Sequence, residues 1–415
     1  MKEQELKKVI LDDKDIIWIN VMFKLMWIVA LALFVSIPFK IDRLTQVCYW
    51  AFTGLNTLCF SLAVIKKQNY EKHNSMKDTK LLLLALVIVA NFISFGFVGT
   101  FRKSADNLMG YLSYAGILFV MYYSNLIKIK KFELKYIGVI NIFIAILFSV
   151  VSTMGFAYGR DEMWTKSLTL GFSNPNLTAM MIFINTTFLL VTRKSFKLRI
   201  VRLIITALIG YSIYMIYMTQ SRASLAVTIV LIALTFAKRK KFKIRPFLSI
   251  ICVLLPIAFL FGLTYMYENE VLKDLELLGK TIYSGREIYY TKILSTLESY
   301  EFGFLFGHFT EFQNTHNSAL SLLRFFGIIG MVTYYIYVLY NILTFTRKSF
   351  DNKMSYICFI AILAIYIQSC AESTIILGGG VWIVAVLSLF AIAGNYKEGV
   401  AVDERTEDAE KKQNK

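Results

Sequence analysis

Charged side chains are scarce in this sequence, 18% of 415 residues, while 57% of the residues are hydrophobic. A soluble domain carries more charge and fewer apolar residues, so a water-soluble globular fold is excluded. Histidine is rarer still, with three in the whole chain. The five cysteines (Cys48, Cys59, Cys252, Cys358 and Cys370) lie in apolar stretches without metal-ligand spacing and read as small apolar residues. No HExxH pair and no GxxxxGK[ST] phosphate loop occurs, so zinc hydrolysis and nucleotide hydrolysis lack their usual signatures. No internal repeat is visible either, which removes support for an inverted-repeat transporter.

What the chain has in abundance is apolar runs of about twenty residues, the length a helix needs to cross roughly 30 Å of hydrocarbon. Twelve are visible, near 17–37, 44–65, 81–99, 108–127, 136–156, 172–192, 203–218, 222–237, 247–267, 318–343, 354–371 and 376–394. None alternates in polarity as the ~10-residue strand of a membrane barrel does. The sequence therefore predicts an all-α polytopic membrane protein of about twelve spans over residues 1–395. The polar tail, 396–415, has no apolar periodicity and is expected to be disordered. The sixth and eighth runs open on polar residues (Ser173, Asn174 and Asn176; Ser221, Arg222 and Ser224). The first contains Lys24, close enough to its inner end to snorkel.

Lys and Arg set the expected orientation. With the N-terminus inside, the five internal loops (66–80, 128–135, 193–202, 238–245 and 346–353) hold 23 of them. The four short external loops (38–43, 100–107, 157–167 and 219–223) hold 7, and the long external segment 268–316 adds four. Both termini are thus expected in the cytoplasm. The stretch before the first run is charged and lacks a cleavage-site pattern, so the first helix is expected to be an uncleaved anchor. The formal net charge of +17 lies mostly in the internal loops, where the positive-inside rule and anionic lipid account for it. No basic face of a soluble domain is present to read nucleic acid.

The stretch Ser284–Gly330, SGREIYYTKILSTLESYEFGFLFGHFTEFQNTHNSALSLLRFFGIIG, carries most of the functional signal. A polar interruption this long in a membrane protein is more than a connector. Arg supplies five of the eleven external cations (Arg43, Arg102, Arg160, Arg222 and Arg286) but seven of thirty-two in the cytoplasmic loops and tails. Its planar fork matches phosphate oxygens, although an Arg at headgroup level also meets phospholipid. Arg222 enters the eighth run through a short Ser-Arg-x-Ser turn, where free N–H groups and the helix dipole already favour an anion. Asn174, Pro175 and Asn176 open the sixth run; a helix cap is the plainer reading, and an amide offered to a sugar hydroxyl the other.

Within the loop, Arg286 precedes an amphipathic segment whose Ile288, Ile293, Leu294 and Leu297 fall at roughly helical spacing, expected to lie along the membrane surface. His316-Asn317 stands directly before the tenth run. A neutral imidazole there could accept a proton from a hydroxyl. His308, in an aromatic turn, reads as structural. Arg324 falls two helical turns beyond His316 and could face the same cavity. Glu372, at the outer end of the eleventh run, is a partner for an Arg or a second candidate base. The external acids form no DxD motif, and no metal or cofactor is expected.

Four stretches together, GFSNPNLTAM, TQSRASL, SGR at 284–286 and THNSALSLLRFFGIIG, resemble the O-antigen polymerase and O-antigen ligase family of bacterial envelope proteins. Their order and their side of the membrane fit, as does the large external loop before His-Asn. The likeness covers roughly residues 155–395. It implies a metal-independent, inverting glycosyltransferase with a GT-C-like fold in the bacterial cytoplasmic membrane. Such enzymes use polyprenyl-diphosphate-linked glycans, alongside flippase and chain-length regulator proteins. Arg222 and Arg286 match the family's diphosphate-binding arginines, and His316 its base. Arg160, Asn174, Asn176, Asn317, Arg324 and Glu372 are candidate supporting residues. One departure is His308, which stands where the family often has the second Gly of a Gly-x-Gly turn. Polymerase, ligase and lipid-linked sugar transporter are all carried forward, the first favoured.

Overall fold

A computed structural model describes residues 2–74, 78–98, 105–158, 167–172, 174–236, 245–271, 276–277, 280–281, 286–308, 315–346, 353–372 and 381–396. Arg102, Arg160, Ser284, Gly285 and the tail from 397 onward lie outside the described residues. The principal helices are α1 (Lys2–Ser36), α2 (Asp42–Asn74), α3 (Thr79–Val98), α4 (Ala105–Tyr123), α5 (Lys131–Ser152), α6 (Pro175–Thr192) and α7 (Arg199–Met218). They continue with α8 (Arg222–Phe236), α9 (Pro246–Glu268), α10 (Arg286–Ser299), α11 (Gly303–Phe306), α12 (Ser318–Thr346), α13 (Lys353–Gln368) and α14 (Val381–Asn395). The strands among the described residues are two-residue pieces, Glu276–Leu277 paired antiparallel with Lys280–Thr281.

Seven helical stretches are long and apolar enough to cross a membrane: Ile17–Ser36, Asp42–Lys67, Lys131–Ser152, Pro175–Ser195, Arg199–Met218, Pro246–Glu268 and Ser318–Thr346. Four shorter apolar helices stand with them: Thr79–Ser94, Arg222–Thr235, Lys353–Gln368 and Val381–Asn395. The protein is a helical, membrane-embedded one. Its periphery agrees. Helix α7 is only 28% buried along its span, and Leu203 and Tyr217 on α7, with Trp50 and Leu58 on α2, are exposed. Apolar surface on that scale suits hydrocarbon rather than water.

Helix α6 is the central element, 89% buried and packed against α5, α7, α8 and α13. Its buried polar side chains bond internally. Thr186, Thr187 and Thr192 donate to the carbonyls four residues back, a hydroxyl habit that costs a helix little. Asn185 Nδ2 donates to both the carbonyl and the Oδ1 of Asn141 on α5, each at 2.9 Å. Lys24 has a charge partner: its Nζ lies 3.1 Å from Glu133 Oε1 at the start of α5 and over the Phe132 ring, as a charge within an apolar helix requires.

Helix α12 is broken. Gly327 has φ +63, and the helix changes direction there. Only glycine fits: a Cβ would lie 2.1 Å from Leu305 O, since α11 is pressed into the break. Carbonyls at the break are bound from outside, Phe326 O by Ser94 Oγ at 2.9 Å and Arg324 O by the His308 N–H at 3.0 Å. Helix α10 forms where the amphipathic pattern predicts. Ile288 is 61% exposed. The buried positions are Glu287, Tyr290, Ile293 and Leu297, a stripe at helical spacing that packs on α9, α11 and α12.

Candidate functional site

The candidate residues gather at one end of the bundle, where the starts of α6 and α12 meet the end of α13 beneath α10. Asn317 fastens this junction. Its Oδ1 accepts the Leu320 N–H at 3.0 Å as the cap of α12, and its Nδ2 donates to Pro256 O at 3.1 Å and Cys370 O at 3.3 Å. With 0% exposure it is a structural tie. Ser318 adds a backbone bond to Ser369 O at 2.9 Å and a hydroxyl bond to Ser369 Oγ at 3.0 Å.

His316 is turned by that junction. Its φ is +57, a left-handed conformation that costs a non-glycine residue about 1 kcal/mol. Thr315 holds the following turn, its Oγ1 donating to Asn317 O at 2.8 Å and contacting Ser321 Oγ. Tyr290 Oη on α10 donates to His316 O at 3.3 Å. The imidazole consequently presents Nδ1 to Glu372 Oε2 at 3.4 Å, with the His side chain 36% exposed and the carboxylate 4%. Asn174 Nδ2 reaches the same Oε2 at 3.5 Å. Both separations are long for hydrogen bonds.

Asn174 has a second task. Its Oδ1 accepts the Asn176 N–H at 2.8 Å, capping α6 with Pro175 in the first turn. The cap and the amide contact with Glu372 coexist in one side chain. Asn176 contributes through its backbone. Arg286 opens α10 and lies one turn from Tyr290, whose hydroxyl burial pushes well above its ordinary range; the Arg286 charge opposes that shift, while Cys370 and Glu372 add to it. Arg286 and Glu372 therefore act on the same buried hydroxyl, which joins α10 electrostatically to the His316 corner.

The remaining candidates make other contacts. Arg222 begins α8, half-buried, behind a turn in which Ser221 Oγ donates to Ser224 Oγ at 3.1 Å. Helix α8 packs on α6 and α13, the two helices that supply Asn174 and lead to Glu372. Arg324 is 5% exposed and donates from Nη1 to Tyr289 Oη at 3.4 Å, supporting α10 from below. His308 stacks on Tyr300 with ring centroids 3.3 Å apart. Among the described residues no group of three or more His, Cys, Asp or Glu side chains is gathered to hold a metal ion.

Sequence reasoning missed Tyr290 and the pairing of residues 316 and 372. Tyr290 was findable, four residues after Arg286 on the same face of a short helix. The pairing was not, because 56 residues separate its members. Chemically, the corner offers an accessible imidazole backed by a buried carboxylate, with a guanidinium one helical turn from the tyrosine that holds the His316 carbonyl. No protein-family model, curated protein or solved structure matches this chain.

Proposed function

We propose that this protein is a membrane glycosyltransferase that polymerises polyprenyl-diphosphate-linked glycan units on the outer side of a bacterial cytoplasmic membrane. The reading takes the twelve apolar runs as spans of a GT-C-like architecture. It puts both termini inside on the 23-to-7 distribution of Lys and Arg between internal and short external loops, which sends His316 outward. The observation that carries it is the His316–Glu372 pair, with Nδ1 facing Oε2 at 3.4 Å and the imidazole still 36% exposed.

In this reading Glu372 orients the imidazole through Nδ1–H, so that Nε2 takes the proton of the acceptor hydroxyl. The hydroxyl oxygen attacks the anomeric carbon as the bond to diphosphate breaks, and the electron pair leaves with the diphosphate. Arg286 and Arg222 meet the negative charge that develops there, each able to present two parallel N–H bonds. Bringing acceptor and donor together is mainly a matter of positioning. Neither nucleotide nor metal enters the scheme.

One observation favours a transporter instead. Transporters break their helices at buried charges, and α12 is broken at Gly327 three residues after the buried Arg324. The break is filled, however. Helix α11 packs into it, and Ser94 and His308 bind its carbonyls. Reconstitution with a lipid-linked oligosaccharide, followed by sizing of the products on a gel, separates the readings. A ladder supports the polymerase, and transfer to one foreign acceptor a ligase. Lipid scrambling without transfer would overturn both.

A further inference from the structure

Glu287 stands outside the scheme above, and its surroundings are unusual for a carboxylate. It follows Arg286 directly on α10 and is only 8% exposed. Its Oε2 has no hydrogen-bond partner among the described residues. A charged oxygen withdrawn from water without a partner is strongly unfavourable, so folds rarely keep one without a use. Glu287 and Tyr290 are three residues apart on the buried stripe of α10, hence neighbours on one face, and Tyr290 Oη touches the His316 carbonyl at 3.3 Å. Glu287 therefore stands on the same buried face of α10, about one helical turn from the residue in contact with His316.

The chemistry selects the ligand. A carboxylate beside Arg286 repels a diphosphate, so the lipid's anionic group is not what it binds. An ionised carboxylate only accepts hydrogen bonds. The natural complement is a group rich in O–H donors and free of negative charge. We infer that Glu287 is a sugar-recognition residue, accepting hydroxyl hydrogen bonds from the saccharide of the lipid-linked substrate while Arg286 beside it faces the diphosphate. Two adjacent residues of one helix would then divide the donor between them. The inference rests on the glycosyltransferase reading and adds to it the residue that distinguishes a loaded lipid from a spent one.

The test uses the full chain in lipid nanodiscs, with two ligands, polyprenyl diphosphate bearing a saccharide and the bare polyprenyl diphosphate. Binding to wild type and Glu287→Gln is measured, together with the Tm of each unliganded protein. Glu287→Gln keeps the shape and removes the charge. The expected result is a 10- to 100-fold weaker affinity for the saccharide-bearing lipid, roughly the value of hydrogen bonds to a charged group. Affinity for the bare lipid should change less than about twofold, and the unliganded Tm should hold or rise as a buried unpaired charge is removed. Equal losses for both lipids, or a lowered Tm, would overturn the inference by making Glu287 a structural residue. If wild type prefers the saccharide-bearing lipid and Glu287→Gln keeps that preference, Glu287 alone is wrongly assigned. If wild type binds neither lipid, the glycosyltransferase reading fails and this inference with it.

Discussion

His316 combines two properties that a packing residue does not need together: a left-handed backbone, φ +57, and an imidazole held against a buried carboxylate. The backbone follows from Asn317, which must cap α12. The side chain then points where Glu372 is. Replacing the imidazole without disturbing the turn calls for Asn, which tolerates this conformation. His316→Asn should lower turnover about 10²–10⁴-fold, the usual worth of a positioned base, with donor affinity retained. Single-turnover kinetics on the reconstituted protein check it, and retention of more than about a third of wild-type turnover excludes the base. Arg286→Lys makes a different demand. An ammonium cannot reproduce two parallel N–H bonds, so Lys should be nearly as damaging as Ala, read in the donor KM. Full activity in Arg286→Lys would reduce the residue to a generic positive charge.

At the scale of elements, two joints hold the site. One is the Asn317 tie between α9, α12 and the end of α13. Asn317→Ala removes a helix cap worth about 1 kcal/mol and two further buried bonds worth about 1 kcal/mol each. A loss of about 2–3 kcal/mol is expected, seen as a lower Tm, with turnover per folded molecule changed far less than by His316→Asn. The other joint is the break in α12. Gly327→Ala places a Cβ against Leu305 O in a conformation that disfavours it, and strain and overpacking at such sites cost roughly 1–3 kcal/mol each. The variant should be destabilised accordingly in thermal denaturation. Wild-type Tm would mean that α11 does not seat in the break.

For the whole molecule the open quantity is which end faces the cytoplasm. The proposed orientation, drawn from the distribution of basic residues, has 238–245 inside and the α10 segment outside. Single cysteines at Lys240 and Ser299 test this. The five natural cysteines are all buried and give little background. Ser299→Cys should react with a membrane-impermeant maleimide in intact cells, and Lys240→Cys only after permeabilisation. The reverse pattern would put the His316 corner inside and end the case for extracytoplasmic transfer.

The sequence alone decided the class of protein, because a span is a local property: about twenty apolar residues must satisfy their own backbone in lipid; of the twelve runs, seven form helices of spanning length and four form shorter apolar ones. It also located Arg286, His316 and the cap at Asn174, each a short-range pattern. Of the apolar positions it marked on α10, Ile293 and Leu297 are buried and Ile288 is exposed, while the buried Glu287 and Tyr290 went unmarked. Hydrophobicity assigns a helix face only where burial follows polarity, and at this site polar groups are buried. Whether Glu372 serves an arginine or a histidine was likewise undecidable from spacing. Only the bonds that tie the start of α12 to the end of α13 bring Glu372 to His316, and only the seat of α10 on α9, α11 and α12 sets Tyr290 against the same corner. Contacts between residues far apart in sequence follow from how whole helices pack, and no short motif encodes that.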